Sequence, residues 1–149
     1  ADKVYEKASS GALKIHPVNL VVSPVQLCQC SPEDKAGQAV EAIKGIQERG
    51  FDTTAVICRT QEEAQAVEQL LADQIAIENG TEMNFQKGVM VLPIALTKGL
   101  EFDTVLLWNP DTESYQENEG DAKLLYVAIT RALHELHILW HGDLSGLFN

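Results

Sequence analysis

The sequence predicts a three-layer α/β domain with a mainly parallel sheet of five or more strands. Short apolar stretches with the length and composition of strands occur at 25–30, 55–59, 89–96, 104–108 and 135–141. Segments with apolar residues at helical spacing lie between several of these stretches. Strands that alternate with short amphipathic helices are typical of βαβ units, and βαβ units form parallel sheets.

Two helix starts are marked in the sequence. Ser31 is followed by Pro32 and then by an acid three positions after the serine, which predicts an N-cap with proline in the first helical position. Apolar residues then repeat at helical spacing, and Gly50 predicts the end of this helix. A second capping sequence, Thr60 to Glu63, follows the apolar strand at 55–59 directly.

The second half of the chain continues the alternation of strands and helices. We expect a turn at 97–99 between two strands, followed after the second strand by an acidic loop at 111–121. A helix is predicted at 121–133, before the last strand.

The 149 residues are enough for one domain with a sizeable core. The first residues are weakly patterned, so we divide the chain into an N-terminal extension or edge hairpin at 1–24 and the α/β domain at 25–149. No stretch approaches 18 consecutive apolar residues, so no membrane span is predicted.

The charge balance argues against strong nucleic-acid binding by this chain alone. Eleven Lys and Arg residues stand against 22 Asp and Glu residues, which gives a net charge of −11. Affinity for nucleic acid comes largely from basic side chains that neutralise phosphates. If a larger protein that contains this chain engages nucleic acid, we expect its basic surface mostly elsewhere or in one local stripe.

The cysteines and histidines do not form a metal-binding pattern, and we predict no metal site. Cys28, Cys30 and Cys58 lack the CxxC spacing of zinc ligands. They are more typical of buried thiols in a reducing compartment, which predicts a cytoplasmic protein. His137 and His141 would lie about 13 Å apart on a strand, too far to share one zinc ion.

Several charged residues stand next to predicted strand ends. Arg59 ends one strand, and Lys98, Gly99 and Glu101 follow another. In open parallel sheets, ligands gather at the carboxyl ends of the strands, where we expect these residues and Arg131 to lie. Arg59 is either a solvated edge charge or a planar fork for a phosphate group. Glu101 is either simply exposed or an acceptor for a ribose hydroxyl.

Arg131 falls within the apolar run of the predicted helix at 121–133. A charge on the buried side of a helix is costly unless it is paired or serves a ligand. One interpretation is therefore structural, an ion pair with Glu101 or Asp103. The other is an arginine finger, because an inserted arginine stabilises the charge that spreads over a transferred phosphoryl group.

The order of three motifs indicates a family. AVICRT (55–60), KGLEFDTVLLW (98–108) and LLYVAITRA (124–132) resemble motifs IV, V and VI of superfamily 1 helicases of the UvrD/Rep/PcrA type. The resemblance covers about residues 25–141 and implies the second RecA-like motor domain. The short spacing between the last two motifs, and the continuation at 132–146, look closer to HelD and DNA helicase IV.

This resemblance implies roles for individual residues. Arg131 would reach the γ-phosphate of ATP across an inter-domain cleft, and Arg59 would be a second phosphate contact. Domain closure would bring both arginines onto the γ-phosphate. Glu101 would contact the ribose, with Lys98 and Gly99 shaping the turn. Tyr126 and Thr130 would position the motif VI helix beside the nucleotide.

The same resemblance implies a protein larger than this chain. The 149 residues contain no GxxxxGK[ST] phosphate loop, so the phosphate and Mg²⁺ ligands for ATP are expected from an N-terminal RecA-like domain of the same polypeptide. The whole protein would be an ATP-dependent helicase, that is, an ATP hydrolase, whereas the isolated chain is expected to be inactive.

One departure from the family pattern bears on the partners. UvrD-type motif V opens with a Thr-x-His pattern that contacts single-stranded DNA, and Pro93-Ile94-Ala95 stands there instead. The expected partner of the full-length protein is DNA, or RNA polymerase if the protein is HelD-like and does not truly unwind DNA. A third hypothesis is a non-catalytic α/β interaction domain that keeps motor-like residues for structure.

Overall fold

The computed structural model describes residues 6–15, 20–78, 87–116 and 118–145, with side chains from residue 25 onward. In chain order its elements are β1 (Glu6–Ile15), β2 (Leu20–Gln29), α1 (Pro32–Glu48), β3 (Thr53–Cys58), α2 (Gln61–Ala72), β4 (Gly88–Pro93), a 3-10 helix (Ile94–Leu96), β5 (Phe102–Trp108), α3 (Glu119–Ile129) and β6 (Ala132–Trp140).

The six strands form one sheet in the order β1-β2-β6-β5-β3-β4. Strands β2 to β6 are mutually parallel, and β1 pairs antiparallel with β2 at one edge. One apolar core lies between the sheet and α3, and a second lies between the sheet and helices α1 and α2. The prediction of a three-layer, mainly parallel α/β domain is therefore confirmed.

Strand β3 shows why the stretch at 55–59 is apolar almost throughout. Ala55 and Ile57 belong to the core on the α3 side, whereas Val56 and Cys58 belong to the core on the α1 and α2 side. All four are fully buried. A strand covered by helices on both faces has no solvent side, so it needs apolar residues at consecutive positions.

The caps of α1 and α2 are the ones that the sequence marks. The side chain of Ser31 accepts a hydrogen bond from the Asp34 amide, and Pro32 is the first helical residue. Thr60 accepts from the Glu63 amide at 3.1 Å. Gly50, at the end of α1, has a φ of 91°, which glycine adopts at little cost.

We expect Thr60→Ala to lower the free energy of unfolding by about 1 kcal/mol, because the α2 amide loses its cap. Urea denaturation measures this change. Thr112→Ala is the matched control, since Thr112 is exposed and caps no helix. Equal stability of the two variants would contradict a capping role for Thr60.

Among the predicted boundaries that differ from the structure, two bear on the position of candidate site residues. The strand predicted at 89–96 ends at Pro93, because the chain turns into a 3-10 helix that buries Ile94 in the core. The helix predicted at 121–133 ends at Ile129, with Thr130 as its C-cap. Arg131 therefore lies in the turn before β6 and not within the helix.

The division between 1–24 and 25–149 falls inside β2. Strand β2 pairs with β1 on one side and with β6 on the other, so strand pairing is continuous across this position. Residues 1–5 and 16–19 of the predicted extension lie outside the described residues, as does residue 117 of the acidic loop. A separate N-terminal unit stays a prediction. Among the described residues, no helix has the length and apolar character needed to cross a membrane.

Candidate functional site

The parallel strands define two ends of the sheet. We call the end at which β3, β5 and β6 begin the amino edge, and the end at which they finish the carboxyl edge. Arg131 lies at the amino edge, because its carbonyl accepts a hydrogen bond from the amide of Phe102, the first residue of β5.

The Arg131 side chain is held by main-chain oxygens. Its Nε donates to the carbonyl of Val127 at 2.9 Å. Its two terminal nitrogens make only longer contacts of 3.4 Å, one to the carbonyl of Leu100 and one to the hydroxyl of Thr130. A cation at the C-terminal end of α3 also interacts favourably with the helix dipole. Neither Glu101 nor Asp103, nor any other described carboxylate, forms an ion pair with Arg131, so the structural ion-pair interpretation is wrong for these residues.

The turn before β5 brings three more predicted residues to the same edge. The amide of Leu100 donates to the carbonyl of Thr97, and Gly99 has a φ of 80°, in the region that favours glycine. Lys98 and Glu101 are exposed on this turn. Because Leu100 contacts Arg131, the turn and the arginine form one surface.

Tyr126 and Thr130 complete this surface from α3. The Thr130 hydroxyl donates to the carbonyl of Tyr126 at 2.8 Å, and it also lies 3.1 Å from the carbonyl of Val127. The side chains of Thr130 and Arg131 together satisfy the carbonyl of Val127, in the last turn of α3, where carbonyls lack main-chain partners. The Tyr126 side chain is about half exposed beside them. We call Lys98, Gly99, Glu101, Tyr126, Thr130 and Arg131 the Arg131 surface.

Arg59 has a different environment. It follows β3 at the carboxyl edge, where its Nε donates to the carbonyl of Ser114 at 3.0 Å. One terminal nitrogen pairs with Asp121 at 3.3 Å, and the guanidinium lies over the ring of Tyr115. The side chain is therefore anchored to the acidic loop and to the first turn of α3.

The structure separates the two arginines. The sheet register places Arg59 about seven residues beyond Arg131 along the strand direction, which is about 20 Å. One phosphate group therefore cannot contact both side chains, and the expectation of a shared γ-phosphate needs correction. The expectation that Glu101 and Arg131 lie at a carboxyl edge also needs correction, because the segment 94–101 crosses from the end of β4 to the start of β5.

A buried lysine at the carboxyl edge was not predicted. Lys35 on α1 is only 5% exposed, its Nζ lies 2.7 Å from Nδ1 of His141, and it sits over the ring of Trp108. Burial lowers the pKa of Lys35 to about 8. Burial, together with the charge of Lys35, also lowers the pKa of His141. The sequence carries a signal, since Lys35 lies four residues before Ala39 on the apolar stripe of α1.

A further charged cluster lies beside β6. Arg49 donates two hydrogen bonds to Glu135, which also contacts Nε2 of His137. Burial acts to raise the pKa of Glu135, but the hydrogen bonds from Arg49 and His137 outweigh it and lower that pKa. This cluster lines a cavity of about 440 Å³ between α1 and strands β2 and β6, away from the Arg131 surface. Among the described residues, no three His, Cys, Asp or Glu side chains form a metal-binding group.

A mainly parallel sheet covered by helices on both faces is the architecture of a RecA-like α/β domain, and here an arginine stands beside a Lys-Gly turn at its amino edge. A sequence model of the UvrD-like helicase C-terminal domain matches residues 88–139, which contain the whole Arg131 surface. No curated protein matches the chain.

Solved structures extend the similarity to most of the chain. The C-terminal domain of a possible DNA helicase from Lactobacillus plantarum WCFS1 is 36% identical, with a TM-score of 0.69. The match covers 83% of this chain and 76% of that one. The chain belongs to the UvrD-like helicase C-terminal domain family.

Proposed function

We propose that this chain is the second motor domain of an ATP-dependent helicase or translocase, and that the Arg131 surface forms one wall of its ATP cleft. The observation that carries the proposal is the position of Arg131. It stands at the amino edge beside Glu101 and Lys98, and no described carboxylate neutralises it.

The hydrogen bonds of Arg131 suit a phosphate contact. The 2.9 Å bond from Nε to the Val127 carbonyl keeps the side chain in place. The terminal nitrogens, held only at 3.4 Å, can exchange their present acceptors for phosphate oxygens. Hydrogen bonds between a guanidinium and phosphate oxygens are charge-assisted, so they are stronger than bonds to neutral oxygens.

The other residues of the Arg131 surface would orient the nucleotide and hold Arg131 in place. Glu101 is exposed immediately before β5, where its carboxylate can accept a hydrogen bond from a ribose hydroxyl. Gly99 gives the turn its left-handed backbone, and Lys98 adds a positive charge beside Arg131. Thr130 and Tyr126 hold the last turn of α3, on which the arginine rests.

These residues suit contacts with the side of a bound ATP that faces away from a phosphate-binding loop, and they do not form such a loop themselves. ATP with Mg²⁺ supplies the transferable phosphoryl group and neutralises part of its charge. The ligands for Mg²⁺ and for the inner phosphates would come from an N-terminal RecA-like domain of the same polypeptide. Domain closure would bring Arg131 to the phosphates, so the isolated chain would not hydrolyse ATP.

Two observations favour a second candidate, a HelD-type ATPase that acts on RNA polymerase. Pro93, Ile94 and Ala95 replace the Thr-x-His pattern at the end of β4, so Pro93 and Ala95 stand where the threonine and the histidine would be. The net charge of −11 also disfavours a nucleic-acid surface on this domain. The same observations are compatible with a non-catalytic interaction domain. ATP turnover by the full-length protein would exclude that alternative.

ATP turnover by the full-length protein, with and without single-stranded DNA, tests the proposal. For a helicase we expect DNA to raise kcat at least about tenfold, because strand contacts drive domain closure. For the HelD-type candidate, RNA polymerase and not DNA would raise it. Absence of ATP turnover under all three conditions would contradict the motor proposal.

A further inference from the structure

Asp103, at the start of β5, contacts residues at the starts of β3 and β6. One carboxylate oxygen, Oδ2, accepts hydrogen bonds from the amides of Asp52 and Thr53 at 2.9 and 3.2 Å. The Asp103 amide donates in return to the Thr53 hydroxyl at 2.8 Å. The other oxygen, Oδ1, lies 3.7 Å from Nε2 of His134 on β6. One side chain thus links the starts of β3, β5 and β6.

The register of the sheet is irregular at the same place. Phe102 pairs with Ala132, but Thr104 pairs with Glu135, so β6 has one residue more than β5 over this interval. Such a bulge bends a strand and redirects the side chains beside it, and bulges are enriched next to active sites. His134 lies in the extra segment, and its ring stacks on Phe51 at a centroid distance of 5.5 Å.

The bulge and Asp103 flank the Arg131 surface. Arg131 immediately precedes β6, and its carbonyl is bonded to the amide of Phe102, next to Asp103 in the chain. Glu101 lies two residues before Asp103 on the other side. The direction in which Arg131 and Glu101 leave the sheet therefore depends on how the starts of β5 and β6 are held.

We infer that Asp103 is a positioning residue for the Arg131 surface. The inference rests on the proposed function and adds to it a residue that contacts no nucleotide. By tying two amides of the β3 start to β5, beside the bulge, Asp103 keeps Glu101 and Arg131 at a set separation and orientation. His134 and its stack on Phe51 support the same arrangement from β6.

The two carboxylate oxygens of Asp103 have different partners, so Asn and Ala substitutions test the two main-chain hydrogen bonds separately from the charge. Asn can still accept from both amides through its single carbonyl oxygen, whereas Ala cannot. In the full-length protein we expect Asp103→Ala to lower kcat for ATP about 10- to 100-fold, with KM for ATP changed less than threefold, because the catalytic side chains are misplaced but still present. Asp103→Asn should recover most of the lost turnover.

Asp52→Ala is the matched control, since it removes a carboxylate from the same edge that accepts none of the hydrogen bonds described there. Its kcat should equal that of the parent protein. Thermal unfolding of each variant shows whether the fold persists at the assay temperature. If Asp103→Ala loses activity only in proportion to its unfolded fraction, the residue is structural and the inference is overturned.

Two further outcomes also overturn the inference. One is a kcat for Asp103→Ala within twofold of the parent protein, and the other is an Asp103→Asn variant as slow as Asp103→Ala. An Arg131→Ala variant measured in the same assay distinguishes failure of the positioning role of Asp103 from failure of the proposed function. If Arg131→Ala is inactive while Asp103→Ala is normal, the positioning role fails alone. If Arg131→Ala is fully active, the proposed function itself has failed.

Discussion

Arg131→Ala in the full-length protein should lower kcat for ATP hydrolysis by about 10³-fold or more, because removal of an arginine finger leaves the transition-state charge unneutralised. Arg59 cannot take the place of Arg131, since Arg59 lies about 20 Å away along the strands. Steady-state ATP turnover at saturating substrate measures the effect.

Two variants make this result specific. Arg131→Lys keeps the charge but loses the planar fork and the Nε bond to Val127, so we expect it to remain strongly impaired. Arg59→Ala removes an arginine of similar burial from the opposite end of the sheet, and its kcat should stay within about threefold of the parent value.

The result would contradict the proposed function if Arg131→Ala kept turnover within tenfold of the parent protein while remaining folded. Arg131 also caps the C-terminus of α3, so its removal should cost some stability, about 1 kcal/mol. Activity must therefore be compared at a temperature at which thermal unfolding shows both proteins to be folded.

Lys35→Met should raise the free energy of unfolding of this chain by about 2 kcal/mol at pH 7. The ordinary pKa of lysine is 10.5, and burial lowers that of Lys35 to about 8. A shift of this size means that the folded state pays about 3 kcal/mol to keep the lysine charged at neutral pH. Loss of the hydrogen bond to His141 offsets about 1 kcal/mol of the gain.

The sign of the pH dependence follows from proton binding. Between pH 8 and pH 10.5 the unfolded chain holds the Lys35 proton while the folded chain has released it. The contribution of Lys35 to stability therefore rises with pH across this interval. The advantage of Lys35→Met should be largest below pH 8 and should shrink toward pH 10.5.

Urea denaturation at pH 7, 8.5 and 10 measures the difference between the two proteins. Lys44→Met is the control, because Lys44 is exposed on the same helix. If Lys35→Met is less stable than the parent at pH 7, the contacts with His141 and Trp108 outweigh the burial cost. A difference that is constant with pH would equally contradict the assignment of the lowered pKa to Lys35.

Local features of the fold were predictable because they depend on near neighbours in the chain. Ser31 and Thr60 cap the helices as expected, since a cap needs only a side-chain oxygen and an amide three residues later. The apolar strand at 55–59 was recognisable because burial on both faces leaves no polar position.

The end of α3 could not be read from the sequence. After Thr130 and Arg131, apolar residues resume at Ala132 and Leu133 with helical spacing from Ile129, so the helical pattern runs on past Arg131. The chain instead leaves the helix at Thr130, because pairing of β6 with β5 begins at Ala132. The partner strand lies about 30 residues earlier, so the competition between helix and strand was decided by a non-local contact.

By itself, the sequence determined the alternation of strands and helices, the caps, and the family to which the motifs belong. Only the tertiary structure decided which end of the sheet Glu101 and Arg131 occupy. The segment 94–101 crosses the sheet with a short 3-10 helix and no α-helix. This crossing carries Glu101 to the amino edge beside Arg131 and leaves Arg59 at the other end. Strand direction and crossing are set by pairing between distant segments, and no local pattern in the chain records them.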